Sequence, residues 1–566
     1  MNRRNFIQTT GISLASIIVG TNPGHEVHVV TGRDISLHGQ DLFQLINFPD
    51  EVSAVVNNET VKLVGKNNQI WMYKDLTVSL KEKLKSISVA VHAPNISLSA
   101  VTLFWKTPIE SASNILNDHW ERTYGDISWH KQNATEILPW YFMEHNEKGT
   151  NGFGVKTGAA SFCFWQLSQG KLSLTIDTRS GGNGVQLGDR KLEAAEIVTI
   201  KSKAHETPFQ TTRHFTKLMC NAARMPKKPV YGINDWYFAY GNNSEKLILD
   251  HTTLMSNFAE GLDNRPFSVI DAGWFKSSMN DSGFGDDMLE ANEKFPNMAK
   301  LSQKIKKIGM RPGIWTRPLC ANPKDKISLF LPLIKGRETR FPILDPTLAE
   351  NLERIKTTFK TYNDWGYEMV KFDYTTFDIF GKWGFEMMRD KTMTSENWQM
   401  NDNSKTNAEI ILNLYKTIRA AAGSTYIISC NTMSHLCAGI FELNRIGDDT
   451  SGQEWERTRK MGVNTLAFRS LQHGTFYACD GDCLGLTTKI SWARNKQWLE
   501  LVAKSGTPLF ISAQAEAVGP EQKIAIKGAF KLASQNLPVA EPLDWMENNF
   551  PKKWNLNNKI ENFDWS

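Results

Sequence analysis

The sequence predicts a β-sandwich followed by a (β/α)8 barrel, and three observations lead there. Short runs rich in β-branched and aromatic residues fill the chain from about 25 to 225. Beyond Met225-Pro226-Lys227-Lys228-Pro229 such runs alternate with amphipathic helical stretches. In that second part, polar residues gather where the strand-like runs end.

The sandwich rests on Val27–Thr31, Ser53–Val56, Val61–Val64, Ile87–His92, Leu98–Trp105 and Ala194–Ile200, punctuated by Asn, Gly, Asp and Pro. This is the spacing of a sandwich, with a small barrel as the alternative. The later strands read Val230–Trp236, Phe267–Asp271, Arg311–Trp315, Met369–Asp373, Tyr426–Cys430, Leu443–Gly447, Thr475–Cys479 and Pro508–Ser512. Helical patterns lie at Ser244–Gly261, Met298–Ile308, Leu348–Trp365, Ala408–Ala422, Glu454–Leu471, Asn495–Lys504 and Gln522–Ser534. Leu352, Ile355 and Phe359 mark one buried face at i, i+3 and i+7. Strands so apolar fit burial on both faces of a parallel barrel of about 300 residues. The expected division is a signal segment over 1–24, a sandwich over 25–225, a barrel over 226–545 and a tail over 546–566.

Composition narrows the function classes. The net charge of +5 over 566 residues is spread along the chain, which excludes a basic nucleic-acid footprint. Eighteen Trp and thirty Phe can supply sugar-stacking faces, although most such rings fill cores. Arg3-Arg4-Asn5-Phe6-Ile7, followed by the apolar Ile12 to Gly20, reads as a twin-arginine export signal and predicts a periplasmic destination. No later run is long and apolar enough to span a membrane. Seven cysteines do not make a disulfide framework. Cys479 and Cys483 flank Asp480 and Asp482, but no second ligand pair follows, so they read as core thiols and no metal or cofactor is expected.

Strand ends carry the chemistry. Asp235-Trp236, Asp271, Trp315, Asp373, Cys430-Asn431, Asp448-Asp449, Asp480 and Ser512 all fall there, where a parallel barrel places its active site. Asp373 ends the fourth strand and Asp448 the sixth. Strands lie ~4.8 Å apart, so their Cα atoms stand roughly 10 Å apart, and inward side chains close much of that gap. Two carboxyl groups ~5–5.5 Å apart give glycosidic cleavage with retention; an inverting pair at ~6.5–9.5 Å stays open. Lys371 projects from the same side of its strand as Asp373 and is expected to keep it ionised. Asp449 would raise the pKa of Asp448, and Arg445 would oppose that shift.

Four segments resemble the clan D α-glycosidases, chiefly glycoside hydrolase family 36 and more loosely family 27. Val269-Ile270-Asp271-Ala272-Gly273-Trp274-Phe275 resembles the second-strand DDGWF motif, and Gly313-Ile314-Trp315 the third-strand GLW. Val370-Lys371-Phe372-Asp373 resembles the nucleophile strand, and Arg445-Ile446-Gly447-Asp448-Asp449 the acid/base motif. The resemblance implies Asp373 as nucleophile and Asp448 as general acid/base. It also implies that Asp271, Trp315, Lys371, Cys430 and Arg445 line the sugar subsite, with Asn431 and Asp449 beside them; Trp236, at the end of the first strand, is a platform by position. The expected activity is retaining exo-hydrolysis of α-galactoside-type oligosaccharides or polysaccharides. Ala272 stands where the family has a second Asp, which opens the alternative of a related sugar, a β-L-arabinopyranoside or an α-N-acetylgalactosaminide. A raffinose-synthase-like transglycosylase and a non-catalytic carbohydrate-binding protein are the other readings. The family's C-terminal β-sandwich is expected to be absent or vestigial, leaving barrel surface for the tail or a second subunit, hence a homo-oligomer, to cover.

Overall fold

Along Glu51–Val56 every second residue is buried, with Val52, Ala54 and Val56 facing in. Leu98, Val101, Leu103 and Trp105 do the same along Ser97–Trp105, which pairs antiparallel with Glu51–Val56 on one side and Lys171–Asp177 on the other. These strands belong to a seven-stranded sheet, and a nine-stranded antiparallel sheet runs Lys191–Lys201 between Ser86–His92 and Gly149–Val155. Apolar residues of both sheets share one core, as a sandwich requires. The computed structural model describes residues 45–566 except 107, 108, 110, 111, 169, 278–286 and 335–340. The export signal and the run Val27–Thr31 lie outside the described residues.

One helix interrupts the segment read as all β. Pro208–Met219 starts at Thr207, whose hydroxyl accepts from the Gln210 amide in a capping box, with Pro208 at the first turn. Phe215 lies on the strand Gly149–Val155, where a Cβ at Gly152 would stand 2.7 Å from its ring. Thr-Pro-x-Gln was a legible helix start.

The second part is one parallel sheet. Its strands are β1 (Tyr231–Asn234), β2 (Phe267–Ile270), β3 (Arg311–Thr316), β4 (Met369–Phe372), β5 (Tyr426–Ser429), β6 (Leu443–Arg445), β7 (Ala478–Asp480), β8 (Cys483–Leu486) and β9 (Leu509–Ala513). They pair in the order β7-β6-β5-β4-β3-β2-β1-β9-β8. The two outermost strands, β7 and β8, are consecutive in the chain and separated only by Gly481 and Asp482. Asp482 takes φ 70, a left-handed turn between β7 and β8; the expected strand Thr475–Cys479 meets β7 only at Ala478 and Cys479, and β8 lies beyond it. Long helices Glu245–Ser256, Met298–Ile308, Ala349–Asp364, Asn407–Ala421, Trp492–Lys504 and Pro520–Ala533 follow the expected pattern.

The expected helix over Glu454–Leu471 is instead broken. Trp455–Thr458 leads into a π turn at Arg459–Asn464, then Thr465–Arg469 and a 3-10 turn. Gly462 sits against Trp498, where an added Cβ would stand 2.8 Å from the ring. Apolar periodicity cannot distinguish this from a continuous helix, because the π turn inserts without changing composition. At the C-terminus, Glu541–Pro542, Lys553–Leu556 and Lys559–Asn562 form a three-stranded antiparallel sheet that straddles the expected boundary at 545/546. Among the described residues no helix is long and apolar enough to cross a membrane.

Candidate active site

β4 ends at Phe372, and the next amide, of Asp373, still donates to Thr316 at 3.0 Å. The chain then turns at Tyr374, a non-glycine residue at φ 67. Such a conformation is costly and collects at functional sites. Asp373 Oδ1 accepts from the Tyr374 amide at 2.8 Å, and Oδ2 faces the Trp315 indole nitrogen at 3.4 Å. The carboxylate is thus fixed at the strand's C-terminal end and half-buried.

Lys371 does not serve Asp373 as the sequence suggested. Its ammonium crosses to β2 and meets Asp271 Oδ2 at 2.7 Å. Asp271 is buried, so leaving it unpaired would cost more than leaving the half-buried Asp373 to its own hydrogen bonds. Asn234 also donates to Asp271 Oδ2 at 2.7 Å, and the Ala272 amide to Oδ1 at 2.8 Å. Burial would pull the Lys371 ammonium down, yet Asp271 beside it holds it well above its usual range. Asp235, which accepts from the Asp271 amide at 2.7 Å, is pushed up to about 7 by burial and by the neighbouring Asp271 charge.

Past β6, two adjacent carboxylates meet three guanidinium groups. Asp448 Oδ1 pairs with Arg122 at 2.7 Å and Oδ2 with Arg457 at 2.7 Å. Asp449 Oδ1 pairs with Arg445 at 2.8 Å and lies 3.8 Å from Arg122. Among the described residues no hydrogen bond reaches Asp449 Oδ2. The Asp449 side chain is 40% exposed and that of Asp448 15%. Burial pushes Asp449 up, but Arg445, Arg122, Lys371 and Arg457 outweigh it and hold the carboxyl below its ordinary value. Arg445 is itself buried and anchored by Asp482 at 2.5 Å; Asp482 also accepts from the Thr450 amide at 2.8 Å and from the Tyr237 hydroxyl.

Cys430 lies between the two halves of the site. Its Sγ accepts from Arg122 Nη1 at 3.6 Å and from Arg445 Nη1 at 4.0 Å. Burial pushes its thiol far up and the nearby Asp373 charge adds to that, so it stays a thiol. Trp236 is half-buried past β1 and meets Tyr240 edge-on at 5.6 Å. Trp315 is buried and stacks on Phe275 at 5.8 Å. Asn431, expected to face sugar, is fully buried. Its amide nitrogen donates to Glu121, and its Oδ1 accepts from the Phe377 amide at 3.1 Å. It braces the turn after β4 instead. Among the described residues no group of three or more His, Cys, Asp and Glu is arranged to hold a metal ion.

Sequence reasoning missed Arg122, Glu121, Arg457 and Tyr237. Arg122 and Glu121 sit in the part of the chain assigned to the sandwich, with no local motif. Arg457 lies in the broken helix, where it reads as one more solvated charge. Gly447, by contrast, has a legible reason for being glycine: a Cβ there would stand 2.4 Å from the Met461 carbonyl and 2.8 Å from Thr465 Oγ1. Gly447→Ala is expected to displace the Asp448-Asp449 turn, costing about 1–3 kcal/mol of stability and lowering kcat. Thermal unfolding measured alongside kcat checks both.

No protein-family model matches the chain. A curated α-galactosidase from Escherichia coli is 32% identical over 97 residues, a match spanning 17% of this chain and 13% of that protein. The α-galactosidase of Thermus thermophilus, solved with p-nitrophenyl α-D-galactopyranoside, superimposes with TM-score 0.58 at 16% identity, covering 91% of this chain and 99% of that one. The family 36 α-galactosidase AgaA of Geobacillus stearothermophilus gives TM-score 0.59 at 12% identity, covering 90% and 79%. The chain therefore carries the fold of the glycoside hydrolase family 36 α-galactosidases.

Proposed function

We propose that this chain is a retaining exo-α-glycosidase of the α-galactosidase type on a (β/α)8 barrel, with Asp373 as nucleophile and the Asp448-Asp449 pair supplying the acid/base. The barrel reading rests on the sheet order, whose two ends belong to one stretch of chain. The observation that carries the function is that Asp373 and the aspartate pair converge on one thiol. The Cys430 amide donates to the carbonyl of Phe372, the residue before Asp373, at 2.9 Å, and Arg122, which holds Asp448, donates to the Cys430 sulfur. Two carboxyl functions flanking the scissile bond are what glycosidic cleavage needs.

Within the pair, the sequence motif favours Asp448 and the geometry favours Asp449. Both oxygens of Asp448 are bound by arginines, which leaves no atom for a leaving group. Asp449 keeps Oδ2 free of hydrogen bonds among the described residues and is the more exposed. A general acid must carry its proton. Because the arginines hold Asp449 low in the free enzyme, kcat/KM should fall as pH rises through the acidic range, an alkaline limb well below neutrality.

The fold's relatives were solved with galactosides, including stachyose bound to the Thermus thermophilus enzyme, and α-galactosides are the first substrates to test. Ala272 offers a methyl group where a second carboxylate could hold a hydroxyl, so a sugar differing at C4, C5 or C6 is the second reading. Aryl α-galactoside, β-L-arabinopyranoside and α-N-acetylgalactosaminide, compared by kcat/KM, decide between them. Binding without turnover of any of them would contradict the proposal. Export by the twin-arginine route is proposed as well, and fractionation of cells expressing Arg3→Lys, Arg4→Lys chains tests it.

A further inference from the structure

We infer that Arg122, carried by the segment that follows the sandwich strand Asn114–Asn117, is a positioning residue for the acid/base carboxylates: it holds Asp448 in place and sets the pH range over which Asp449 works. The inference rests on the glycosidase reading above and deepens it.

The segment is built into the catalytic sheet. The Thr123 amide donates to the Ile446 carbonyl at 2.9 Å, and the Asp448 amide donates back to Thr123 at 2.9 Å, a parallel bridge centred on Gly447. Thr123 Oγ1 also meets Thr465 Oγ1 at 3.0 Å. On the upstream side, Asp118 pairs with Arg469 at 2.9 Å with both side chains buried, and Arg469 donates to the Glu121 carbonyl at 2.8 Å. The Glu121 carboxyl accepts from the Gly384 amide at 2.6 Å and from Asn431, which braces the turn after the nucleophile. Residues 118–123 therefore connect both catalytic turns, and the backbone pairing fixes the register of Arg122 against Asp448.

The Arg122 head is aimed at the site. It is buried, its Nη2 binds Asp448, and its Nη1 faces Cys430 and Asp449, while Nε has no partner. The Trp383 and Tyr124 rings lie 5.6 and 5.9 Å from the guanidinium. A mere tie between two parts of the chain would not need to touch both carboxylates. The charged and titratable groups facing this pair are Arg122 and Tyr124 from the segment, Arg445 from β6, and Arg457 from the broken helix. Lys371 on β4, Tyr374 past it, Tyr237 past β1 and the buried Glu121 face it as well, with the Cys430 thiol against Arg122 and Asp482 against Arg445. Among the described residues, Arg122 is the one that contacts both members of the pair. Removing its charge favours the protonated acid, so activity should persist to higher pH.

The test compares the full chain with Arg122→Gln and Arg122→Lys over a pH series, on aryl glycosides with good and poor leaving groups. Expected for Arg122→Gln is an alkaline limb of kcat/KM moved upward by at least half a pH unit. With it should come a kcat loss of tenfold or more, greater for the poor leaving group than for the good one, at little-changed KM. Arg122→Lys, which keeps the charge, should move the limb back toward that of the unsubstituted chain. Should Arg122→Gln not fold, Arg122→Lys alone decides, through a kcat loss that deepens as the leaving group worsens. Loss of stability with an unmoved limb and equal losses on both leaving groups would overturn the inference and leave Arg122 a structural tie. No turnover by the unsubstituted chain on any glycoside of the panel would overturn the glycosidase reading, and this inference with it.

Discussion

Asp373→Asn is expected to lower turnover of an activated aryl α-glycoside by roughly 10⁴-fold or more, because it removes the nucleophile. The side chain is set by the Tyr374 turn and the Trp315 indole rather than by a charge partner, so the substitution should leave the fold intact. Asp373→Gly opens space at the same position. Added azide should then attack the anomeric carbon as the aryloxide leaves, and restore turnover with release of the β-glycosyl azide. An Asn variant that retains a tenth of normal activity would remove Asp373 from the reaction.

The second large effect separates the adjacent aspartates. Asp449→Asn is expected to spare a dinitrophenyl glycoside in the bond-breaking step, since that leaving group needs little protonation. The same variant should lose roughly 10²–10⁴-fold on a methyl or sugar aglycone. Asp448→Asn should show no such dependence on the leaving group. Its effect should be on stability, because Arg122 and Arg457 lose their shared carboxylate. Breaking a buried pair costs ~3–5 kcal/mol, and the 40% exposure of the Arg457 side chain puts this case toward the lower end. Kinetics over a leaving-group series and denaturant unfolding, run on both variants, distinguish the roles. If the leaving-group dependence appears in Asp448→Asn instead, the sequence motif is right and the geometric argument wrong.

Much of the sheet was legible because both faces of each parallel strand are buried, so apolar runs such as Met369–Phe372 and Leu509–Ala513 stand out from the amphipathic helices between them. Strand-end polar residues likewise marked the end of the sheet where Asp373 and the Asp448-Asp449 pair lie. What remained hidden depends on contacts far apart in sequence. Lys371 chose Asp271, 100 residues away, over Asp373 two residues away, because the buried carboxylate has the greater need. Asn431 looked like a sugar ligand by position, yet it is consumed by Glu121, 310 residues distant. Arg122 offers no local signal, since its role exists only once Thr123 pairs across Gly447.

The central claim is a covalent sugar on Asp373. It is tested most directly by incubating the chain with the 5-fluoro glycosyl fluoride of its best substrate sugar, followed by intact mass measurement and peptide mapping. The account predicts a single added glycosyl mass on the peptide containing Asp373, lost again when the intermediate is allowed to turn over. A label on another carboxylate, or turnover of the reagent to the inverted sugar with no labelled protein, would contradict it.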